Sequence, residues 1–192
     1  MAYVKVGLIT VTDETAPSNP SSGDFKLFVD TNNRLCLIDS AGVNTLLPGI
    51  VVNSAQFDKT NSSTLSDVTG LSHTLVSGKT YAFEAVFNTA ATNGQGIKFA
   101  LGGTAIIASA RIQALTINNA LTPTFNQASG TSLTYSTAFS DTATTSAYTV
   151  FKGTVVVTTG GTLTLQFAQG SALLATTANL LAGGSFKVTQ IN

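Results

Sequence analysis

Apolar and polar residues alternate along most of the chain with the two-residue period of a β-strand. The alternation is clearest in four segments: TYAFEAVFN, QGIKFALGG, GGTLTLQFAQG and GSFKVTQIN. In each of them bulky side chains such as Phe83, Phe99 and Phe167 fall on one face. Residues such as Glu84 and Lys98 fall on the other face. Each segment is therefore predicted to be a strand with one dry face.

Three further segments, AIIASARIQALTI, SLTYSTAFS and AYTVFKGTVVV, are rich in β-branched or aromatic residues. Clusters of Gly, Asn, Ser and Pro separate the segments, as turns do. Hardly any segment has the 3.6-residue spacing and caps of a helix. The pattern predicts an all-β chain with roughly seven or eight strands after about residue 60. Residues 59–192 are predicted to form a jelly-roll-like β-sandwich.

The first 58 residues follow a different pattern. The opening segment AYVKVGLITVT carries apolar residues on both faces and predicts a strand that needs a partner. After APSNPSSG come three short apolar runs, FKLFV, RLCLI and VNTLL, joined by DTNN and DSAG. Asn, Asp and Gly readily adopt the positive φ angles of tight turns. Residues 1–58 are therefore predicted to form an N-terminal strand and a three-stranded β-meander.

Neither face of the predicted meander is clearly polar. Phe25 and Leu27 face one side of the sheet, and Phe28 faces the other. In the next run Leu35 and Leu37 face one side, and Cys36 and Ile38 face the other. A sheet of about fifteen residues cannot enclose a core of its own. The meander must then be covered by other copies of the chain or by another protein. The economical prediction is a homo-oligomer in which equivalent meanders pack around an axis.

The composition limits the classes of partner. Of the 192 residues, 43% are hydrophobic and 9% are charged, with a formal net charge of zero. A typical domain carries about 25% charged residues, so this surface must consist mainly of neutral hydroxyl and amide groups. A nucleic-acid-binding protein would need a basic stripe, and none is present. Zero net charge also removes the electrostatic repulsion that opposes self-association.

No export or membrane signal is evident in the sequence. The start MAYVKVGLITVTDETAPS lacks the uninterrupted apolar block of a signal peptide, so we expect the chain to be made and kept in the cytosol. The most apolar stretches are too short or are broken by Arg111, whereas a membrane span needs about 20 apolar residues. Cys36 is the sole cysteine, which excludes an intrachain disulfide.

Catalytic candidates are few, and no enzyme activity is expected. His73 is the only histidine and belongs to no recognisable triad or zinc signature, so a structural role is favoured. Glu84 could act as an acid with a shifted pKa, although a solvent-facing or ion-paired side chain is the favoured alternative. Together with Asp67 and Asp141 it makes no spaced carboxylate pair suited to glycoside cleavage.

Binding candidates are equally sparse. Asp24, Asp30 and Asp39 lie at the turns of the predicted meander, where oxygen-rich loops sometimes bind calcium. Turn chemistry alone accounts for Asp at these positions, so no metal is predicted. Arg111 lies within an apolar strand and either pairs with a neighbouring subunit or points outward to solvent. The Gly pairs at 102, 160 and 183 are interpreted as turns, and no cofactor is implied.

Two regions carry a resemblance to a known class of proteins. The arrangement P-x-x-G-x-x-x-L-F, then D-x-x-x-x-L-C-L-x-D-x-x-G, then a Leu pair, resembles the small β-meander modules of tailed-bacteriophage fibre and head-fibre proteins. The stretch TLSDVTGLSHTLVSGKTYAFEAVFNTAATNGQGIKFALGG and the closing GGSFKVTQIN resemble the trimeric β-sandwich knobs of such proteins. The resemblance covers most of residues 17–192 and implies a homotrimeric virion structural protein.

The favoured function is that of a capsid decoration, cement or head-fibre protein. A complete tail fibre usually has a long shaft region, and this chain has none. Its expected location is the outer capsid surface, and its expected partner is the major capsid protein. The predicted trimer-interface residues are Phe25, Leu27, Phe28, Leu35, Leu37 and Leu46. The residues predicted to dock on the capsid as an added strand are Tyr3, Val4, Lys5, Val6, Leu8, Ile9 and Val11.

An alternative function is that of a tail-fibre or tail-tip knob that recognises a host surface glycan or protein. The candidate recognition loops for that function are NTAATNGQG and NQASGTS. These loops hold few aromatic residues, which disfavours sugar stacking on them. A host-encoded extracellular adhesive module is a third alternative, although the sequence shows no export signal.

Overall fold

The computed structural model describes residues 18–29, 35–42, 44–46, 49–91, 96–118, 120–121, 123–133, 139–141, 146–171 and 176–192. Every regular element among them is a β-strand, which confirms the all-β prediction. No helix among the described residues has the length and apolar character needed to cross a membrane. The chain divides into two compact units, Met1–Gly49 and Ile50–Asn192.

The first unit contains the predicted meander. Strands β1 (Phe25–Val29), β2 (Leu35–Asp39) and β3 (Asn44–Leu46) form an antiparallel sheet in the order β1-β2-β3. Gly42 has a φ of 80° between β2 and β3, a conformation that glycine adopts without a steric penalty. The three apolar runs are therefore the strands that the alternation predicted. The predicted N-terminal strand lies outside the described residues.

The two faces of the meander differ in their exposure to solvent. Phe28 and Ile38 are buried, with 6% and 2% of their surface exposed. On the opposite face Phe25 is 70% exposed and Leu27 is 42% exposed. Leu27 pairs in register with Leu37, which is half-buried. One apolar face is thus covered within the chain, and the other is open.

Residues from Gly49 onward form twelve further strands among the described residues. They are β4 (Gly49–Val52), β5 (Phe57–Thr60), β6 (Ser66–Leu75), β7 (Thr80–Ala91), β8 (Ile97–Gly102), β9 (Ile106–Asn118), β10 (Pro123–Gly130), β11 (Phe139–Asp141), β12 (Ser146–Thr159), β13 (Gly161–Gln169), β14 (Thr177–Leu180) and β15 (Ser185–Gln190).

These strands form two antiparallel sheets. The larger sheet has the order β10-β9-β12-β7-β14-β5, and β15 pairs with both β7 and β4. The smaller sheet has the order β11-β8-β13-β6. Phe99 of the smaller sheet packs edge-on against Phe151 of the larger one, with ring centroids 5.3 Å apart. The two sheets therefore share one core, as the predicted β-sandwich requires.

The buried positions follow the sequence alternation. In β7 the residues predicted to face inward are Tyr81, Phe83, Ala85 and Phe87, and all four are buried. The predicted inward faces of β8, β13 and β15 are buried in the same way. Edge-to-face contacts such as Phe83 with Phe151, 5.5 Å between centroids, add to the burial of apolar area.

Several boundaries differ from those predicted. The first domain was predicted to end at residue 58, but β4 pairs with β15 and β5 pairs with β14 of the larger sheet. The compact units accordingly divide between Gly49 and Ile50. The segment NQASGTS, predicted to be a loop, contributes five residues to β10. In β10 neither face is dry, because its burial alternates only between exposed and half-buried, so the alternation signal was weak.

Candidate functional site

A row of polar side chains crosses the outer face of the larger sheet. In register, Glu84 of β7 lies between Lys187 of β15 and Lys152 of β12. Lys152 in turn lies opposite Gln113 of β9, which lies opposite Gln127 of β10. Successive side chains of a strand point to opposite faces, and most sequence neighbours of this row, such as Phe83, Ile112 and Phe151, are core residues. The row therefore faces away from the core.

A second outward-facing row lies one pleat away. Arg111 of β9 lies between Thr154 of β12 and Ser129 of β10. Thr154 lies opposite Ala82, and Ala82 lies opposite Thr189. Apart from Arg111, the side chains in this row are short. They leave space above the sheet that the first row does not fill.

The two rows line an open depression of about 800 Å³, which we call the trough. It is lined by Ala82, Phe83, Glu84, Arg111, Ile112, Gln113, Gln127, Ala128, Ser129, Lys152, Gly153, Thr154, Lys187 and Thr189. Gly153 permits a close approach of β12 to β9, because a Cβ atom there would collide with the carbonyl oxygen of Arg111. The shape of the trough thus depends on a glycine within a strand.

The trough concentrates positive charge on a chain that is neutral overall. Residues 50–192 contain six cationic side chains: Lys59, Lys79, Lys98, Arg111, Lys152 and Lys187. Three of these six line the trough, and Glu84 is the one carboxylate among the lining residues. Arg111, Lys152 and Lys187 are all exposed. The local excess is therefore two positive charges.

A second depression of about 570 Å³ adjoins the trough and shares Gln113, Gln127 and Lys152 with it. It adds apolar surface from Leu115 and Val150, together with Phe125 of β10. Phe125 is 75% exposed. The outer face of the larger sheet therefore carries a polar, cationic zone that continues into a zone with an exposed aromatic ring.

The sequence marks Glu84 and Arg111 as separate candidates and does not indicate that they lie close together. The structure places both in the trough with outward-facing side chains, which is one of the two alternatives left open for Arg111. Pairing of Arg111 with a neighbouring subunit stays a prediction. Lys152, Lys187, Gln113 and the β10 residues were missed. Their proximity depends on cross-strand register, which a single sequence does not display.

The remaining catalytic candidates lie elsewhere. His73 on β6 is buried, and its Nε2 atom lies 2.8 Å from the carbonyl oxygen of Phe186. Its ring also packs edge-on against the Phe186 ring, with the ring centroids 5.3 Å apart. His73 therefore packs between the two sheets. Asp67 on β6 accepts a hydrogen bond from Gln166 Nε2 at 2.8 Å and belongs to the smaller sheet. Glu84 belongs to the larger sheet, so the two carboxylates are on different sheets.

The acidic positions of the meander form no site in the described part of the chain. The backbone N–H of Asp24 donates to the carbonyl oxygen of Ser21 at 3.0 Å, which is turn geometry. Asp30 lies outside the described residues, and so does the side chain of Asp39. Within the described ranges, no three His, Cys, Asp or Glu side chains come together as metal ligands.

The predicted interface residues are in contrasting positions. Phe25 and Leu27 are on the open face of the meander, whereas Phe28 is buried within the chain and presents little surface to another copy. Leu37 is half-buried. For Leu35 and Leu46 the backbone pairs in β2 and β3, and their side chains are outside the description. The predicted docking residues from Tyr3 to Val11 lie outside the described residues.

Similarity to known proteins is found among solved structures, at low sequence identity. No family model matches the chain, and no curated protein matches it. A structure of the infectious bursal disease virus Gx strain is similar over 81% of this chain and 42% of that chain, with 12% identity and a TM-score of 0.18. The VP2 subviral particle of the same virus is similar over 82% and 43%, with 12% identity and a TM-score of 0.17. The chain spans less than half the length of these viral chains.

Proposed function

We propose that this chain is a virion structural protein, a phage capsid decoration, cement or head-fibre protein that docks on the assembled shell through its N-terminal region. The observation that supports this proposal best is the open apolar face of the meander, where Phe25 is 70% exposed and Leu27 is 42% exposed. Contiguous exposed apolar surface commonly marks a protein interaction site. The resemblance of the meander to head-fibre modules supports the same function.

Burial of that face would contribute to an association between copies of the chain. Complete burial of a Phe or Leu side chain is worth about 1.5–3 kcal/mol. At the observed exposures, covering Phe25 and Leu27 would contribute roughly 2–3 kcal/mol per chain. The formal net charge is zero, so no overall repulsion opposes the association. In the proposed homotrimer the open faces of three meanders meet around an axis.

Attachment to the shell is assigned to the segment from Tyr3 to Val11, which would add a strand to an exposed edge of the major capsid protein. Main-chain hydrogen bonds supply the affinity in this binding mode, and side-chain pockets supply the specificity. Each arm of a trimer is expected to bind weakly. Tethering three of them raises the avidity about 10² to 10⁴-fold. Binding only to the assembled shell would stabilise it by mass action.

Deletion of residues 1–12 tests the docking assignment. The truncated protein is expected to remain a soluble trimer and to lose binding to purified shells in co-sedimentation and electron microscopy. The control is the full chain with Lys79→Gln, a substitution outside the docking segment, which should still bind. Retention of the truncated protein on shells would place the docking surface elsewhere in the chain.

For the receptor-binding alternative, the expected recognition surface moves from the predicted loops to the face of the sheet. One of its two predicted loops is mostly strand β10, and the first four residues of the other, from Asn88 to Ala91, belong to β7. Ligand recognition through those loops therefore has less support than recognition on the face of the sheet. Glycan binding by a protein that is absent from the capsid lattice in electron micrographs would favour a tail-fibre knob over decoration.

A further inference from the structure

We propose that the trough binds an acidic oligosaccharide, a short sugar chain that carries carboxylate groups. The proposal concerns the sandwich alone. It is independent of whether the meander trimerises or the N-terminal segment docks on a shell. It rests on three properties of the outer sheet face: the charge distribution, the hydrogen-bonding groups and an exposed aromatic ring.

The arrangement of cations suits an extended anionic ligand. Lys187 and Lys152 are on the two strands that flank β7, so their backbones are about 10 Å apart at the usual strand spacing. Arg111 adds a third cation from the adjacent row. The positive charge is thus spread along the trough instead of converging on one point. Charge-assisted hydrogen bonds from these groups to carboxylates are worth more than neutral ones.

The neutral groups suit sugar hydroxyls. Gln113 and Gln127 line both depressions, and their amides can donate and accept hydrogen bonds. Thr154, Ser129 and Thr189 add hydroxyl groups along the second row. A sugar hydroxyl also donates and accepts, so this lining satisfies both roles. Recognition of a simple inorganic anion would require donors alone.

One exposed aromatic ring supplies apolar surface to the site. Phe125 is 75% exposed on β10, two residues before Gln127, and both residues line the second depression. Tyr148 of β12 is 42% exposed and pairs in register with Ile117 of β9, but it lines neither depression. An aromatic ring buries large apolar area when the C–H face of a sugar covers it. The two joined depressions, about 800 and 570 Å³, accommodate several sugar units.

Glu84 selects against more densely charged polymers. It lies between Lys152 and Lys187 in register and places a negative charge within the cationic row. A nucleic acid or polyphosphate gains affinity in proportion to the phosphates that cations neutralise. Three cations beside a carboxylate provide few such contacts. A sugar chain with isolated carboxylates fits this pattern, and its hydroxyls can donate to Glu84.

The test begins with the full chain on an array of acidic and neutral oligosaccharides. The best acidic ligand and its carboxyl-reduced form are then compared by calorimetry at low and high salt. We expect binding to acidic oligosaccharides, at least tenfold weaker binding of the reduced form, and an affinity that falls with added salt. Chemical-shift changes in the unmodified protein should map to the trough strands β7, β9, β10, β12 and β15.

Matched variants locate the site. The double variant Lys152→Gln/Lys187→Gln should weaken binding at least tenfold, because two charge-assisted contacts are lost. The control Lys79→Gln/Lys98→Gln removes the same charge from positions outside the trough and should bind like the unmodified chain. Phe125→Ala should weaken binding several-fold. Its control is Ile106→Ala, which truncates a side chain of β9 that is 59% exposed.

Several results would overturn the proposal. Absence of any acidic ligand on the array at millimolar concentration is one of them, and equal affinity for the carboxyl-reduced form is another. Tighter binding of polyphosphate, single-stranded DNA or an acidic peptide than of every acidic oligosaccharide would assign the trough to a different partner. Chemical-shift changes confined to the smaller sheet would do the same.

Discussion

The two units of this chain obtain their stability in different ways. The sandwich buries a continuous cluster of apolar residues contributed by both of its sheets. The described part of the meander buries Phe28 and Ile38 and leaves Phe25 and Leu27 open to solvent. In the described parts of both units the regular elements are β-strands, most of them with apolar alternation. A strand with one apolar face can complete a core, whereas a small sheet with two apolar faces needs a partner for one of them.

Separating the two units should produce the largest difference between them, because only one of the two fragments is expected to fold. A peptide of residues 18–49 is expected to lose its sheet completely, because chains below about 40 residues rarely fold without cross-links, metals or association. Residues 50–192 should keep cooperative unfolding, since both sheets of the sandwich remain. Circular dichroism of the two fragments at micromolar concentration measures this difference. A folded, monomeric meander peptide would remove the contrast.

The next largest effect is expected in the sandwich core. Phe151→Ala should lower the free energy of unfolding by about 3–5 kcal/mol, because the Phe151 ring is fully buried and contacts Phe83 and Phe99 edge-on. The control Phe125→Ala truncates the same residue type on the surface and should change it by less than about 0.5 kcal/mol. Urea denaturation checks both values. Equal losses of unfolding free energy would mean that Phe151 is not packed in a core between the two sheets.

A third prediction tests where the sandwich begins. Asn53 is buried, and its Nδ2 atom donates to the carbonyl oxygens of Ala55 at 3.0 Å and Leu181 at 2.9 Å. Asn53→Ala should destabilise the sandwich by about 1–3 kcal/mol, because both carbonyls lose a donor.

The matched control is Asn179→Ala, which removes an exposed hydrogen bond to Asp58 and should cost less than about 1 kcal/mol. Denaturant unfolding of the fragment 50–192 measures both variants. If Asn53→Ala unfolds like the unmodified fragment, the segment before residue 59 is not an integral part of the sandwich.

The smallest effect on unfolding is expected at the open face of the meander. Phe25→Ser/Leu27→Ser should change the free energy of unfolding of the sandwich by less than about 0.5 kcal/mol, because neither side chain belongs to its buried cluster. The same change should dissociate the proposed trimer. Ile106→Ser, at an exposed apolar residue of the sandwich, should leave the trimer intact. Equal dissociation by both variants would argue against a meander interface.

Much of the fold could be predicted from the sequence, because strands such as β7 and β13 have one predominantly apolar face. The meander strands were found for the same reason. Strand β10 was missed because it is half-exposed on both faces, and the four-residue strands β4, β5 and β14 carry too short a pattern. The trough could not be predicted. Glu84, Lys152 and Lys187 are far apart in sequence and meet only through strand register.

Light scattering on the purified full chain tests the central claim most directly, since that claim is that the open face of the meander is covered by other copies. We predict a mass of three times the 19.7 kDa of one chain at micromolar concentration. A mass of 19.7 kDa under the same conditions would show that the chain tolerates this apolar face in water and would contradict the account.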